Sequence, residues 1–195
     1  VLLVAMLVYA ELAYGRVFHM GTMSSLLVSF APTIILAVGM TIVILSGGID
    51  LSVGAVVAFT SVSGVMLMNN GVNGWVAVIL MIVFGALFGL VSGVLIQYFN
   101  VQPFIATLAM MFLARGLASI LSTVPVQAPD NSPILVLATD WKLYDGPKTN
   151  DLVLTPGFFI AVLVVAAAFM LLHRTRTGRT VYGIGGAENS AQLMG

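Results

Sequence analysis

The chain is a succession of long apolar runs separated by short polar breaks. A helix needs about 20 apolar residues to cross roughly 30 Å of hydrocarbon. By that measure the runs predict an all-α polytopic membrane protein of about six transmembrane helices. The spans fall near residues 1–18, 26–45, 53–68, 75–99, 104–121 and 157–172. The first is apolar from Val1 to Tyr14 and almost to Phe18, and Gly15–Ser25 reads as a short polar connection. Pro32 falls near the start of the second span, where a missing N–H costs little. Asn69–Gly74 is a turn by composition. The longest span opens at Trp75 and closes at Tyr98, residue types suited to the membrane–water interface. Asn100–Pro103 is a tight connection, and Pro156 sits at the first turn of the last span. Residues 123–155 differ: Asp130, Asp140, Asp145, Asp151, Lys142 and Lys148 with four prolines predict a solvated extracytoplasmic loop. A loop of that length is usually functional.

The polar break Ser46-Gly47-Gly48-Ile49-Asp50-Leu51-Ser52-Val53-Gly54, between the second and third spans, organises the chain. Two adjacent glycines give φ freedom and allow close backbone approach. Asp50 is the only acidic or basic residue, histidine apart, between Arg16 and Arg115. An ionisable group at such a depth is expensive and usually functional. Asp50 and Ser52 are also good N-cap types for a helix starting near Val53, so the break is readable either as a functional site or as a capped turn. If both flanking runs cross fully, the break lies toward the cytoplasmic half; a discontinuous helix would bring it toward the midplane, where transporters place such breaks.

Composition narrows the classes. Charged residues make up 7 % and hydrophobic ones 60 %, with mean hydropathy +1.12, against about 25 % charged in soluble domains. The formal net charge is zero, which leaves no basic face for nucleic acid. With no cysteine there is no disulfide or thiolate nucleophile. His19 and His173 lie far apart and form no ligand cluster. No G-x-x-x-x-G-K-[ST] loop occurs, so no ATP binds through a Walker A motif. Gly85, Gly89 and Gly93 form a small-residue stripe, the pattern of close helix packing more than of a pore wall. Arg115, late in its span, could snorkel, pair with Asp50 or line a water-filled path.

Arg174, Arg176 and Arg179 follow the last span directly, which places the tail 173–195 in the cytoplasm by the positive-inside rule. Counting back puts the amino terminus and Asn100–Gln102 inside and the long loop outside. In the tail, Gly183, Gly185 and Gly186 read as a flexible entry to a short helix over Glu188, Asn189, Ser190, Ala191, Gln192, Leu193 and Met194, closed by Gly195. Such a helix could dock in a partner's groove or be an ordinary interfacial loop helix. The chain opens inside an apolar run and closes inside a polar motif, as a fragment of a longer chain does.

Ile44–Gly54 resembles the signature of bacterial ABC permeases for monosaccharides, the branched-chain-amino-acid-like family serving ribose, xylose, arabinose and galactofuranose. Thr107–Gly116, ending Ala114-Arg115-Gly116, and Arg174–Arg179 through Gly185-Gly186 are similar to two further markers of that family, in the same order. The tail, with Ser190-Ala191 and Leu193-Met194-Gly195, is most similar to galactofuranose permeases, in which two permease chains pair. The resemblance implies a non-enzymatic subunit of the bacterial inner (plasma) membrane that carries no cofactor, ATP and Mg belonging to a partner ATPase. Its partners would be that ATPase, a second permease subunit, a periplasmic sugar-binding protein, the transported monosaccharide and membrane lipid. An uncharged hexose needs hydroxyl donors and acceptors, so Thr41, Ser46, Asp50, Ser52, Asn100 and Arg115 are candidates for the substrate path. The resemblance also implies that Gly185, Gly186, Glu188–Ala191 and Leu193–Gly195 couple to the ATPase. The rival expectation is an ion-coupled secondary transporter or channel using Asp50.

Overall fold

The computed structural model describes residues 1–15, 17–144 and 151–193, with side chains described no further than Gly186. It is a helical protein in which the apolar runs form helices and the polar breaks form their caps. In chain order, α1 spans Leu2–Tyr14, α2 Met20–Leu45, α3 Val53–Asn69, α4 Gly74–Gln97 and α5 Pro103–Leu121. The short α6 (Pro133–Leu137), strands β1 (Trp141–Tyr144) and β2 (Leu152–Leu154), α7 (Pro156–Arg174) and α8 (Arg176–Leu193) follow. Helices α2, α4, α5 and α7 are long and apolar enough to cross a membrane, whereas α1 and α3 are apolar but shorter. Four of the six expected spans thus have the length to cross unaided.

The described residues divide into two compact units, Val1–Ala37 with Leu137–Ala168 and Val38–Val136 with Phe169–Gly195. In the first, α1 ends at Gly15 in the left-handed region, its N–H donating to the Glu11 carbonyl. The Glu11 carboxylate accepts the N–H groups of Val17 at 2.8 Å and Phe18 at 3.2 Å. The one acid of the first apolar run therefore satisfies two backbone donors of the turn that follows α1.

Helix α2 begins at Met20, not Leu26, so most of the expected connection Gly15–Ser25 is helical. The polar residues Ser24 and Ser25 there are bonded to backbone groups. The Ser25 hydroxyl donates to the Gly21 carbonyl at 2.8 Å. The buried Ser24 hydroxyl donates to the Val153 carbonyl and accepts the Val153 N–H at 2.8 Å. Pro32 consequently lies in the helix interior, not its first turn. There it deletes one i→i−4 hydrogen bond, which membrane helices tolerate when neighbouring groups re-satisfy the backbone.

The expected loop over residues 123–155 carries structure of its own. Strands β1 and β2 pair antiparallel, with Trp141 opposite Leu154 and Lys142 opposite Val153. Lys142 Nζ lies 3.5 Å from Asp151 Oδ2, an exposed pair of little energetic weight. Asp145 and Lys148 lie outside the described residues. Thr155 then caps α7: its hydroxyl lies 3.4 Å from the Phe158 N–H, and Pro156 stands at the first helical position.

In the second unit α3 packs against both α4 and α5. Phe59 meets Phe84 and Phe88 with centroids 5.9 and 5.4 Å apart. Ala77, Ala106 and Ala114 are buried almost completely, the small side chains that let helices approach. Asn73 caps α4 by accepting the Trp75 N–H at 3.0 Å, and Pro103 opens α5. The turn between α3 and α4 is tied down by Asn69, whose amide donates to the Gln127 carbonyl at 3.1 Å.

The tail differs from the expectation of a glycine-rich flexible entry before a short helix. Helix α8 runs without interruption from Arg176 to Leu193, so Gly183, Gly185 and Gly186 are helical. It starts one residue after α7 because Thr175 turns the chain. The Thr175 hydroxyl donates to the Leu171 carbonyl at 2.6 Å and accepts the Gly178 N–H at 3.2 Å, an N-cap bond to the third helical residue.

Candidate functional site

The site is built on the end of α2. Its last carbonyls are closed by a Schellman motif: the Gly48 N–H donates to Val43 O and the Gly47 N–H to Ile44 O, each at 3.0 Å. Gly47 has φ 81, the left-handed conformation that such a cap demands and that glycine adopts without steric cost. The Ser46 hydroxyl donates to the Val43 carbonyl at 2.8 Å.

Beyond the cap, Asp50 organises the entry to α3. Its Oδ1 accepts the Ser52 N–H at 2.7 Å and the Ser52 hydroxyl at 2.6 Å. Ser52 occupies the N-cap position but makes no side-chain cap bond to the helix. The sequence expectation that both side chains cap α3 is therefore not met: Ser52 stands at the N-cap position but spends its hydroxyl on Asp50, and the carboxylate holds the residue before the helix. Charge-assisted bonds of this kind are about twice as strong as neutral ones.

Helix α5 braces the break from the side. Thr107 is only 3 % exposed, and its hydroxyl lies 3.1 Å from the Ile49 carbonyl and 2.9 Å from its own helix's Pro103 carbonyl. Its single proton is thus within reach of two carbonyls, one of them in the break, which ties α5 to the residues between α2 and α3.

These groups border a cleft of about 480 Å³. The break contributes Ser46 through Asp50; α4 contributes Gly89, Ser92, Gly93 and Gln97; α5 contributes Pro103 and Thr107; and Ile184 of α8 stands at its edge. The walls are mixed, with aliphatic Val43, Ile49 and Ile96 among the hydroxyls, the carboxylate and the amide. The hydroxyl of Ser92 donates to Phe88 O at 3.0 Å, which leaves its oxygen lone pairs as acceptors. Such a lining presents several acceptors and one amide donor to an uncharged polyhydroxyl molecule.

Of the six path candidates, the structure brings together Ser46, Asp50 and, bonded behind Asp50, the buried Ser52. Thr41 lies on α2 and Arg115 on α5, both exposed and neither lining the cleft. Arg115 and Asp50 form no ion pair among the described residues. Asn100 is exposed in the turn between α4 and α5, where its φ of 53 makes it a left-handed turn residue. Sequence reasoning did not single out Ser92, Gln97 or Thr107 as lining groups. The available signal was that each is a polar residue near the same end of an apolar run as the break. Gly89 and Gly93, expected as packing residues, have open space where a Cβ would stand and line the cleft. Of the coupling candidates, Glu188, Asn189, Ser190, Ala191 and Leu193 fall in the backbone span of α8, while Met194 and Gly195 lie outside the described residues.

A multi-pass helical membrane protein, with a capped glycine pair and a carboxylate opening a cleft between its helices, is the class these features define. Residues 22–195 match the family described as branched-chain amino acid transport system / permease component, and the chain belongs to that family. It is 49 % identical over 196 residues to the fructose import permease protein FruG of Bifidobacterium longum, covering all of this chain and 58 % of that protein. It is 43 % identical over 164 residues to the inner membrane ABC transporter permease protein YjfF of Escherichia coli K12, covering 83 % of this chain and 47 % of the relative. Against the ribose import permease protein RbsC of the same strain the identity is 39 % over 164 residues, covering 83 % of this chain and 49 % of RbsC. The chain thus spans about half the length of the curated relatives it matches. No solved structure matches it significantly.

Proposed function

We propose that the chain is part of a transmembrane permease subunit of an ATP-driven monosaccharide importer in the bacterial inner membrane. The observation that carries this reading is the cleft at the Ser46–Ser52 break, whose hydroxyl, carboxylate and amide lining suits an uncharged sugar. Family membership and relatives named for fructose and ribose import support it. The subunit is non-enzymatic: a separate cytoplasmic ATPase hydrolyses ATP with Mg, and α8 is the element presented to it. A sugar-binding protein delivers the substrate, and a second permease subunit completes the path. The cargo is a hexose or pentose of the fructose or ribose type; galactofuranose, the cargo of the permeases that the tail resembles, belongs to the same assay set.

Transport follows as a shift between inward-open and outward-open populations. The differential contact is the docking of the ATPase on α8, and a neutral sugar meets only hydroxyl-scale interactions along the way. The test is purification of the full-length protein from native membranes with identification of what accompanies it, followed by sugar uptake in reconstituted vesicles. Co-purification of an ATPase and a second permease, with uptake of labelled fructose or ribose that requires ATP, is the expected outcome. Uptake driven by an ion gradient without an ATPase would overturn the proposal and move Asp50 to the centre of an ion-coupled mechanism.

A further inference from the structure

Gly185 and Gly186 are adjacent in sequence but occupy opposite situations. At Gly186 a Cβ would stand in open space. At Gly185 it would overlap the carbonyl oxygen of Leu45, the last residue of α2, and stand 3.4 Å from the Gly47 nitrogen. The approach is mutual, since a Cβ on Gly47 would lie 3.8 Å from the Gly185 Cα. Backbone thus meets backbone at the point where α2 ends and the break begins, and no flexible side-chain tip lies between them to give way.

Two further observations bear on this contact. Gly178 lies seven residues before Gly185, hence on nearly the same face of the helix, and a Cβ there would overlap the carbonyl oxygens of Leu171 and Leu172 at the end of α7. One face of α8 is therefore seated at two places on the carbonyl ends of two helices. Ile184, the neighbour of Gly185, reaches the edge of the cleft that holds Ser46 and Asp50.

We infer that Gly185 is a positioning residue. It is the bearing on which α8 rests against the end of α2, and through it the position of α8 sets both the Gly47–Asp50 segment and the coverage of the cleft by Ile184. This inference rests on the permease reading for its role in transport, although the contact itself does not. Packed interfaces of this kind have discrete arrangements and do not deform continuously. Motion imposed on α8 is therefore passed to the break instead of being absorbed at the glycines.

The test uses the full-length protein with its partners, in membranes. The chain described here contains no cysteine, so, with any cysteine elsewhere in the full-length protein replaced by serine, Ser46→Cys with Ile184→Cys gives a clean pair for a short bifunctional thiol reagent. The pair is expected to crosslink without nucleotide and to lose the crosslink when Gly185→Ala is added. Gly186→Ala should keep the crosslink, because a Cβ there meets open space. Gly185→Ala should lose uptake while the ATPase still co-purifies. An unchanged crosslink in Gly185→Ala, or equal damage from Gly186→Ala, would overturn the inference. Where Gly185→Ala does not reach the membrane, the cysteine pair in the parent decides alone, and absence of its crosslink overturns the joint. A crosslink that depends on Gly185 in a protein that neither binds an ATPase nor takes up sugar would instead sink the permease reading and leave the joint standing.

Discussion

Two helix ends in this chain are closed by the same backbone device and serve different purposes. At the end of α2, Gly47 is left-handed and the pair of bonds runs from Gly48 to Val43 and from Gly47 to Ile44. At the end of α3, Gly71 is left-handed with φ 87, and the corresponding bonds run from Val72 to Leu67 and from Gly71 to Met68. The local chemistry is interchangeable, but the surroundings are not. A Cβ on Gly71 would meet nothing within 4 Å, whereas Gly47 faces the backbone of α8. The residues after Gly47 are bonded to Asp50 and Thr107 and open onto a cleft, while the turn after α3 is held by exposed amide bonds from Asn69 and Asn70. A cap ends a helix; the neighbouring helices decide whether that end becomes a site.

The largest effect that would test this contrast comes from valine at the two glycines. A β-branched residue at positive φ is a genuine outlier, and the left-handed conformation alone costs roughly 1–2 kcal/mol for any residue with a Cβ. Gly47→Val and Gly71→Val should therefore pay similar local strain, yet only Gly47→Val should reduce ATP-driven uptake per inserted protein to background. Equal loss in both would remove the distinction between a site and a turn.

A step smaller is Thr107→Val, which leaves the Ile49 carbonyl without its brace. The unpaired group costs about 1–3 kcal/mol, so uptake should fall about tenfold or more, with recovery in Thr107→Ser. Smaller again is Asp50→Asn, which keeps an acceptor for the Ser52 N–H but removes the charge. The difference between charged and neutral hydrogen bonds, about 1 kcal/mol, predicts a several-fold fall in uptake that stays ATP-dependent, read from initial rates with and without an uncoupler. Asn69→Ala at the turn after α3 is the smallest: it removes one exposed bond and should leave uptake within about twofold.

The contrast was partly visible in the chain itself. The glycine pair followed by an acid and a serine marked the break, and the ends of α3 and α5 fall within a residue or two of the apolar runs that announced them. Helical content hidden by polar composition was not visible. The first turns of α2 read as a connection because Gly21, Thr22, Ser24 and Ser25 are polar, and Ser25 and Ser24 are bonded to a helix carbonyl and to the backbone of β2. The glycines of α8 read as flexibility, because sequence shows that a side chain is missing but not what stands in its place. At Gly185 the answer is another helix's carbonyl, and at Gly186 it is open space. Arg115 and Asp50, linked on paper by being lone charges, form no ion pair among the described residues, and α5 meets the break through Pro103 and Thr107, more than two helical turns before Arg115.

Helix α3 has 17 residues, or about 25 Å of length at 1.5 Å per residue, and α2, which precedes the break, has 26, or about 39 Å. One arm of the pair is shorter than the acyl-chain region and the other longer, so bilayer thickness acts on them in opposite senses. A thicker bilayer draws the unwound residues ahead of α3 further into lipid depth, and a thinner one releases them toward the headgroups, at fractions of a kcal/mol per Å. The openness of the cleft should then follow the length of the surrounding acyl chains, a dependence that needs no ligand.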